Sequence, residues 1–515
     1  MQRNQTLAVI LVAIVCASTA GAASTNLYWQ GPVAATSDWE TAANWDKNVV
    51  PSIANESQCW VINGGTARIT QPGQSGQYLL LGYGLGESGH VRLQAGTFAT
   101  SGYEQIAKEG TATFTQMNAT TNTVGDTLTV AEGNTSAPRG TGTYYLNGGL
   151  LQVAAGDVNL GYYAGATGRL TQTSGTFGPL ANNRYLYLGR GSATVPGGFG
   201  SYTITGGAML FTNGNYVSIG EYGTGELRQS NATVTVDQYV TVGRRSIGRG
   251  TYALDGGEAS IGTLVLGETS GATGLVGITR GHLHLGSQTA IGQSGYGAFN
   301  QSGGTVTMAN VNYVWLGRFA GAEGKYVLSG AGALLLTNAN NYLSVGESGA
   351  GTFEQSNGTV NVKNYVIAGH NSGSTGRYTI RGGSLTAGGN LDVGQAAGAT
   401  GTLQVVGSSC TISVGGNYDQ NAVSTLSVLI DAGGLSPINV SGNVSLNGTL
   451  EISGRGLDYN QVFTVINAGP GKLSGNFSRT NLVSSLSRAD VIYDNVNGDV
   501  KVTHFQYPGT VISIR

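Results

Sequence analysis

Two histidines, His282 and His284, are the side chains in this sequence that come nearest to a metal-binding spacing. Residues two apart lie on the same side of a β-strand, so both imidazoles could reach one ion. Protein metal sites take three or four protein ligands, and no third ligand lies nearby in the sequence. We therefore predict no metal site and no cofactor.

The densest group of charged residues follows a glycine-rich bend and could in principle hold a polar ligand. Its members are Arg244, Arg245, Arg249, Asp255 and Glu258. Solvation of a bend is the simpler explanation of such a group, and we favour it over a ligand site. The P-loop, zinc-ligand, calcium-nonapeptide and Gly-x-Ser-x-Gly patterns are absent from the sequence. We predict no catalytic residue and a protein that is not an enzyme.

Two large aromatic residues, Tyr187 and Trp315, fall at positions predicted to point outward from strands. Exposed aromatic rings can stack on sugars, which makes this pair the candidate glycan contact. The alternative is that both rings pack beneath a neighbouring loop, and we favour that structural role. The same outward positions carry no column of acidic residues, which a polysaccharide-cleaving β-helix would need.

The elements that would position these residues recur along the chain. An aromatic residue followed by apolar-x-apolar-Gly is found at residues 78–82, 185–189, 216–220, 239–243, 313–317, 342–346 and 365–369. Weaker copies end at positions 107, 131, 161, 267, 292 and 394. Thirteen copies between positions 82 and 394 give twelve intervals and a mean period of about 26 residues, which is typical of stacked structural repeats.

Each period contains three short segments with apolar residues at every second position, separated by Gly or Asn bends. In one copy Val217 and Ile219 point to one side and Ser218 to the other, and Val234 and Val236 repeat this pattern. Alternation with period two predicts strands rather than helices. We predict an all-β chain, a parallel β-helix (β-solenoid) of about 13 turns with three short strands per turn, about 60 Å long and capped at both ends.

The predicted turns alternate between two types. One type carries Phe or Leu two residues before Gln, with the glutamine at positions 116, 172, 229, 301 and 355. The other carries Tyr two residues before Leu or Ile, with the tyrosine at positions 144, 202, 252, 326 and 378. We infer a unit of two turns, about 52 residues, in which bulky and small side chains are interleaved and the glutamines share one face. One turn near Ile278 fits neither type.

The two ends of the sequence differ from the repeats. Four segments are predicted: a signal peptide (1–22), a Trp-rich N-terminal cap (23–77), the β-solenoid repeats (78–415) and a C-terminal β cap (416–515). The signal peptide has a basic start, a short apolar stretch and small residues, and cleavage is predicted after Ala22. The C-terminal cap is predicted to end in a hairpin that turns at Asn497 and Gly498.

Composition narrows the class of protein further. Glycine supplies 86 of the 515 residues, whereas charged residues supply 10%. This much glycine without a Gly-X-Y period suits a bend-rich β protein and excludes collagen. A formal net charge of −2 gives no attraction to nucleic acid, and no apolar run of the mature chain is long enough to span a membrane. Cys59 and Cys410 fall at opposite ends of the predicted rod, so no mutual disulfide is expected.

These phrases resemble those of the autotransporter-associated and PEP-CTERM-associated β-strand repeat proteins of bacteria. The resemblance rests on the copy at residues 345–360, on residues 463–477 near the end, and on Trp29, Gly31, Trp39, Asn44, Trp45 and Pro51 at the start. It covers nearly the whole mature chain and implies a passenger-like β-helix that is released or loosely attached to the surface. The repeat family carries no catalytic residues to transfer.

The sequence thus favours a secreted or cell-surface structural or adhesive protein without a catalytic site. Its partners would be surface glycans or neighbouring components of the cell envelope. Two alternatives stay open. One is a glycan-active β-helix enzyme of the polysaccharide lyase or hydrolase kind, whose groove would show at least two carboxylates. The other is a passenger module that is secreted with a separate barrel.

Overall fold

The computed structural model describes residues 25–133, 140–483 and 486–508, so the predicted signal peptide lies outside the described residues. The described residues form fifty β-strands and one short 3-10 helix, Ala42–Asn44. Strands of four to six residues dominate because apolar side chains alternate with polar ones and glycines interrupt each run.

In chain order, the first twenty-five strands are β1 (Thr25–Tyr28), β2 (Thr36–Asp38), β3 (Ser57–Val61), β4 (Asn63–Ile69), β5 (Gln74–Gly76), β6 (Tyr78–Leu81), β7 (Ser88–Leu93), β8 (Thr97–Thr100), β9 (Glu104–Ile106), β10 (Thr111–Gln116), β11 (Thr121–Val124), β12 (Leu128–Val130), β13 (Thr141–Leu146), β14 (Leu150–Val153), β15 (Val158–Leu160), β16 (Thr167–Gln172), β17 (Thr176–Pro179), β18 (Tyr185–Leu188), β19 (Phe199–Ile204), β20 (Ala208–Phe211), β21 (Tyr216–Ile219), β22 (Thr224–Gln229), β23 (Ala232–Val242), β24 (Arg249–Leu266) and β25 (Thr273–Leu285).

The remaining strands are β26 (Thr289–Ile291), β27 (Tyr296–Gln301), β28 (Thr305–Met308), β29 (Tyr313–Leu316), β30 (Glu323–Leu328), β31 (Ala333–Leu336), β32 (Tyr342–Val345), β33 (Ala350–Gln355), β34 (Thr359–Val362), β35 (Val366–Ala368), β36 (Thr375–Ile380), β37 (Gly383–Ala387), β38 (Leu391–Val393), β39 (Thr400–Val406), β40 (Cys410–Val414), β41 (Tyr418–Gln420), β42 (Thr425–Ile430), β43 (Ile438–Val440), β44 (Val444–Leu446), β45 (Thr449–Gly454), β46 (Val462–Asn467), β47 (Leu473–Gly475), β48 (Arg479–Val483), β49 (Arg488–Asp494) and β50 (Asp499–Gln506).

Strands β1 to β48 stack in parallel into three long sheets, and each complete coil contributes one strand to each sheet. The first sheet contains β1, β3, β6, β9, β12, β15, β18, β21, β23, β24, β26, β29, β32, β35, β38, β41, β44 and β47. The second contains β2, β4, β7, β10, β13, β16, β19, β22, β24, β25, β27, β30, β33, β36, β39, β42, β45 and β48. The third contains β5, β8, β11, β14, β17, β20, β23, β24, β25, β28, β31, β34, β37, β40, β43 and β46. The longest strand, β24, bends through all three sheets.

The predicted parallel β-helix is confirmed, but it has about 16 turns rather than 13. The additional coils lie before residue 78 and after residue 415, where the aromatic-apolar-x-apolar-Gly phrase is lost but parallel pairing continues. Stacking requires alternating side chains and compatible bends, and it does not require the complete phrase. The predicted division into caps and repeats stays a prediction.

A hairpin covers the C-terminal end of the coil. Strands β49 and β50 pair antiparallel with each other, and β50 also pairs antiparallel with β46 of the third sheet. The turn between them contains Asn497 and Gly498, as the sequence predicts, and Gly498 has a φ of +77°. An antiparallel strand at this position occupies hydrogen-bonding groups that a further coil would otherwise use.

The interior is a single apolar column with polar pairs built into it. Predicted inward positions such as Val217, Ile219, Val234 and Val236 are fully buried. Aromatic rings stack from coil to coil, as in the Phe299–Tyr326, Tyr326–Phe353 and Phe353–Tyr378 pairs, at 4.6–4.7 Å between ring centroids. Both described cysteines, Cys59 and Cys410, are buried free thiols.

Tyrosine–glutamine pairs link successive coils through this interior. The Tyr252 hydroxyl donates to Gln229 Oε1 on the preceding coil at 2.6 Å. Gln229 Nε2 donates in turn to the carbonyls of Ala232 and Glu258, both at 2.9 Å. The same hydroxyl–amide bond joins Tyr144 to Gln116, Tyr202 to Gln172, Tyr326 to Gln301 and Tyr378 to Gln355. The five glutamines share one inner face, as the inferred two-turn unit requires, and each bonds to the next coil. The coil of Ile278, between those of Tyr252 and Gln301, carries neither residue at the equivalent positions and interrupts the alternation.

Close approach between coils explains why the repeated phrase ends in glycine. Gly220 has a φ of +73°, and a Cβ added there would lie 2.2 Å from the carbonyl oxygen of Arg249 on the next coil. Ala107 and Ala131 stand at the same place in their coils, each with a φ of 61°. Glycine avoids this contact with the next coil, and alanine takes its place at the bend in those two coils only.

Candidate functional site: the outer face of the first sheet

The outward positions of the first sheet form a column that is buried rather than exposed. The column consists of Leu80, Gln105, Thr129, Asn159, Tyr187, Ser218, Thr241, Val265, Ala290, Trp315, Ser344, Ile367 and Asp392, each less than 9% exposed. We call these residues the outer column. Side chains of the residues just before and just after each strand must therefore cover the outer column. The surroundings of Tyr187 and Trp315 show this in detail.

Tyr187 lies under an arginine. Its ring is 7% exposed, stacks on Tyr185 at 5.0 Å between centroids, and has the Arg190 guanidinium 4.3 Å from its centroid. Arg190 Nη1 also donates to Asn159 Oδ1 at 2.8 Å and lies 3.7 Å from a carboxylate oxygen of Asp157. The guanidinium is held from several sides, so it covers the ring in a fixed position.

Trp315 is covered in the same way. It is 7% exposed, and the Arg318 guanidinium lies 4.2 Å from its ring centroid. Its Nε1 donates to the Tyr342 hydroxyl at 3.2 Å, and Arg318 Nη1 donates to Gln293 Oε1 at 3.1 Å. Both predicted residues are therefore packed beneath their own bend arginines and offer little ring surface to a ligand. Their role as glycan contacts stays a prediction.

The two surroundings repeat one another along the rod. Residues 185–190 read Tyr-Leu-Tyr-Leu-Gly-Arg and residues 313–318 read Tyr-Val-Trp-Leu-Gly-Arg. On the next coil, residues 216–221 and 342–347 each read Tyr-apolar-Ser-apolar-Gly-Glu. Register places Ser218 beside Tyr187 and Ser344 beside Trp315. We call these two surroundings the Tyr187 patch and the Trp315 patch.

A pocket of about 220 Å³ opens beside the Tyr187 patch. Its lining residues are Tyr185, Tyr216, Val217, Ser218, Tyr239, Thr241, Arg244 and Glu268. Arg244 spans two coils, donating to Glu268 at 3.2 Å and to Glu221 at 3.3 Å. Burial raises the pKa of the Glu221 carboxyl, while the neighbouring arginine favours its charged form. The pocket thus has an aromatic wall, a hydroxyl-bearing floor and a charged wall.

The third coil of the Trp315 patch differs from that of the Tyr187 patch. Ile367 takes the place of Thr241 in the outer column, and His370 takes the place of Arg244. His370 Nδ1 lies 2.6 Å from Glu347 Oε2, and its ring meets Tyr342 edge to face at 5.7 Å. An apolar side chain therefore fills the floor where the Tyr187 patch has a hydroxyl.

A function for the outer column and its two patches is inferred from their burial, contacts and charges. No family model, curated protein or solved structure matches this chain. Among the described residues, none lies in a helix that is long and apolar enough to cross a membrane.

Two aspartates lie side by side at the end of the outer column. Asp392 pairs in register with Asp419 on the next coil. Burial raises the pKa of Asp392 to about 6, and Gln395 Nε2 donates to its Oδ2 at 2.7 Å. The outward column drawn from the sequence stops at Asp392, because the repeated phrase ends at Gly394. Aligning Leu-Asp-Val at 391–393 with Tyr-Asp-Gln at 418–420 would have found the second carboxylate.

The charged group around Arg244 is not one site. Arg244 belongs to the pocket, whereas Arg249 begins the second-sheet part of β24. Asp255 lies at the following bend, where it binds an arginine of the next coil at 3.1 Å. Glu258 lies in the third sheet. These charged residues are therefore neighbours in the sequence but do not share one surface of the rod.

The two histidines lie on the outer face of the third sheet. His284 Nε2 is 3.0 Å from Glu258 Oε2, and its Nδ1 is 2.8 Å from Thr307 Oγ1. His282 lies beside it, at 6.3 Å between ring centroids. Within residues 25–133, 140–483 and 486–508, no group of three or more His, Cys, Asp or Glu side chains has a metal-binding arrangement.

One carboxyl group lies inside the rod. Glu104 is fully buried, and burial raises its pKa to about 7. Asn122 Nδ2 donates to Glu104 Oε2 at 3.0 Å, while Oε1 has no hydrogen-bond partner among the described residues. The side chain is enclosed in the core, so its burial affects the pH dependence of stability rather than forming a site.

Proposed function

We propose that the protein is exported and acts at the cell surface as a structural or adhesive rod. The observation that carries this proposal is parallel pairing from β1 to β48 without a change of sheet order. Eighteen first-sheet strands, spaced ~4.8 Å apart, span about 80 Å. Each coil is hydrogen-bonded to the coil before and after it, so the rod holds its two ends a fixed distance apart.

The resemblance to bacterial surface-repeat proteins and the predicted signal peptide support export of the chain. The outer column supports an adhesive role, because its covering side chains combine aromatic rings with amide, hydroxyl and paired charged groups. Surfaces of this kind suit neutral polar partners such as glycans better than they suit nucleic acid. Neighbouring components of the cell envelope would be the natural partners of such a rod.

Export and adhesion can be tested with two chains, the full sequence and one that lacks residues 2–22. We expect the full chain at the bacterial surface or in the medium with Ala23 as its first residue, and the shortened chain in the cytoplasm. The purified mature chain should bind immobilised cell-envelope polysaccharide saturably. A full chain that stays uncleaved in the cytoplasm would contradict the export proposal.

Glycan cleavage is the second candidate function, and the Asp392–Asp419 pair is the observation that favours it. A carboxyl group with a pKa near 6 next to a second carboxylate resembles the acid and base of glycoside hydrolysis. The test is release of reducing ends from a panel of polysaccharides, with Asp392→Asn and Asp419→Asn as the matched variants. Product release by the wild-type chain that both variants abolish would establish the enzyme and displace the purely structural proposal.

A further inference from the structure

We propose that the pocket beside the Tyr187 patch binds a single neutral sugar ring. This inference rests on the proposed adhesive function and adds to it the site and the class of ligand. The pocket's volume of about 220 Å³ is below the roughly 300–1,000 Å³ of sites for drug-sized ligands. One pyranose ring of a longer chain therefore suits it better than an oligosaccharide segment does.

The aromatic wall supplies a ring face for the sugar. Tyr185, Tyr216 and Tyr239 stack along the rod, with centroids 4.6 and 6.1 Å apart. The ladder stops at Tyr239, because the residue in register on the next coil is Thr263. Tyr239 is 40% exposed, so its ring offers surface against which the C–H groups of a sugar can pack.

The opposite wall supplies fixed polar groups. Arg244 is anchored by Glu221 on the preceding coil and by Glu268 on the following coil. These bonds orient a guanidinium donor and a carboxylate acceptor side by side, as the hydroxyls of a sugar require. The lining contains one cation and one anion, Arg244 and Glu268. The charges balance, which favours a neutral sugar over a uronic acid or a phosphate.

The floor contains a hydroxyl whose hydrogen bond is unmet. Ser218 is 1% exposed and lines the pocket. Its Oγ has no hydrogen-bond partner among the described residues. Buried hydroxyls are ordinarily paired, so a ligand hydroxyl would satisfy Ser218 where the protein does not. Thr241 supplies a second hydroxyl-bearing side chain on the next coil.

Two other surfaces of the rod lack this combination. The Trp315 patch has Ile367 in place of Thr241 and His370 in place of Arg244. A depression of about 430 Å³ on the second sheet is lined by Glu354, Arg377, Arg381 and other residues, with no aromatic ring among them. Ser344 of the Trp315 patch also has an Oγ without a hydrogen-bond partner among the described residues. The Tyr187 side is therefore set apart by Thr241 and by the Arg244–Glu268 ion pair beside an exposed ring.

The experiment is saturation-transfer NMR on the mature chain with methyl glycosides of neutral hexoses, and with methyl glucuronide and inorganic phosphate as anionic probes. We expect saturable binding of at least one neutral glycoside at about 1 mM and none of the anions. Tyr239→Ala, which removes the ring face, and Thr241→Ile, which copies the other patch, should each weaken binding about tenfold or more.

Tyr365→Ala is the matched control, because Tyr365 stands at the equivalent place of the Trp315 patch and is 36% exposed. It should leave the affinity unchanged. Equal loss in Tyr365→Ala, preference for an anionic probe, or no saturable neutral glycoside would each overturn the sugar site. Polysaccharide binding that survives in Thr241→Ile would reject this site while leaving the adhesive function standing. Polysaccharide binding that is absent from the wild-type chain would reject the function itself.

Discussion

The Tyr187 patch and the Trp315 patch are built on the same plan for two coils and then diverge. In both, an arginine covers an aromatic ring and a serine follows on the next coil. On the third and fourth coils Thr241 and Val265 of one patch correspond to Ile367 and Asp392 of the other. The scaffold thus repeats together with its covering side chains, while single outward positions decide which side chains lie beside it.

The interior beneath the two patches has the same order of tyrosine and glutamine coils. The Tyr187 and Trp315 coils carry Tyr202 and Tyr326 in the second sheet, and both are tyrosine-type turns. The serine coils that follow carry Gln229 and Gln355. The two patches therefore sit at the same phase of the two-turn unit, and their differences lie on the outside.

The largest expected effect tests that shared interior. Gln229→Leu and Gln355→Leu should each lower the free energy of unfolding by about 3 kcal/mol, because each change leaves a tyrosine hydroxyl and two carbonyls unpaired. Urea unfolding and hydrogen exchange of the neighbouring strands would measure this. Tyr252→Phe and Tyr378→Phe, which remove one hydroxyl each, should cost about 1 kcal/mol. A large effect at one glutamine and none at the other would show that the interiors differ.

The next effect concerns the fourth coil, where Val265 corresponds to Asp392. Burial raises the pKa of Asp392 to about 6, so the folded state holds this proton more tightly than the unfolded state does. Stability is then greatest below about pH 4 and falls by up to about 3 kcal/mol as the pH rises through 6. Asp392→Asn should remove that fall, as measured by unfolding midpoints between pH 4 and 8.

Glu104 lies outside both patches and has a pKa of about 7. Its deprotonation should lower the free energy of unfolding further as the pH rises toward 7. The Asp392→Asn variant should retain this part. The double variant Glu104→Gln/Asp392→Asn should retain only the falls contributed by Glu132 and Glu221, whose pKa burial also raises. A wild-type chain whose stability rises between pH 4 and 7 would contradict the assignment of both carboxyls.

The smallest expected effect is a difference in stability between variants of the two arginines that cover the aromatic rings. Arg190→Ala should destabilise by about 1.5 kcal/mol and Arg318→Ala by about 0.5 kcal/mol. Both arginines lie over two aromatic rings. Arg190 also donates to Asn159 and pairs with Asp157, whereas Arg318 bonds to one glutamine. Thermal midpoints would give the order, and acrylamide quenching of Trp315 should increase in Arg318→Ala alone. The reverse order would show that ring cover outweighs the polar anchors.

The fold could be predicted from the sequence because the patterns that indicate it are local. Alternation at 217–219 and 234–236, glycine at the bends and the spacing of glutamine and tyrosine all lie within one or two coils of sequence. They were enough to predict the strands, the parallel coil and the alternation of two turn types, whereas the hydrogen bond from Tyr252 to Gln229 was not predicted. The number of turns was underestimated because coils such as β1 and β3 stack without the phrase.

The candidate site was harder to predict from the sequence, because it depends on which residues of other coils the long side chains contact. Sequence alignment places Tyr187 in the outer column, but it does not show that Arg190 folds back over the ring. The pocket likewise depends on Arg244 joining carboxylates from two other coils. Such contacts depend on the register between strands and on the rotamers of the side chains. The alternation of apolar and polar residues in the sequence does not specify the two together.

The tyrosine–glutamine bonds also bear on how such a chain could change in length. A coil inserted between the two members of a pair, such as Gln355 and Tyr378, would separate the hydroxyl from the amide and leave both unmatched. The coil of Ile278 lies instead between two pairs, and the bonds on both sides of it are intact. Gene segments gained or lost by recombination should therefore be tolerated where they begin and end between pairs, and each coil of about 26 residues would move the ends of the molecule by about 5 Å.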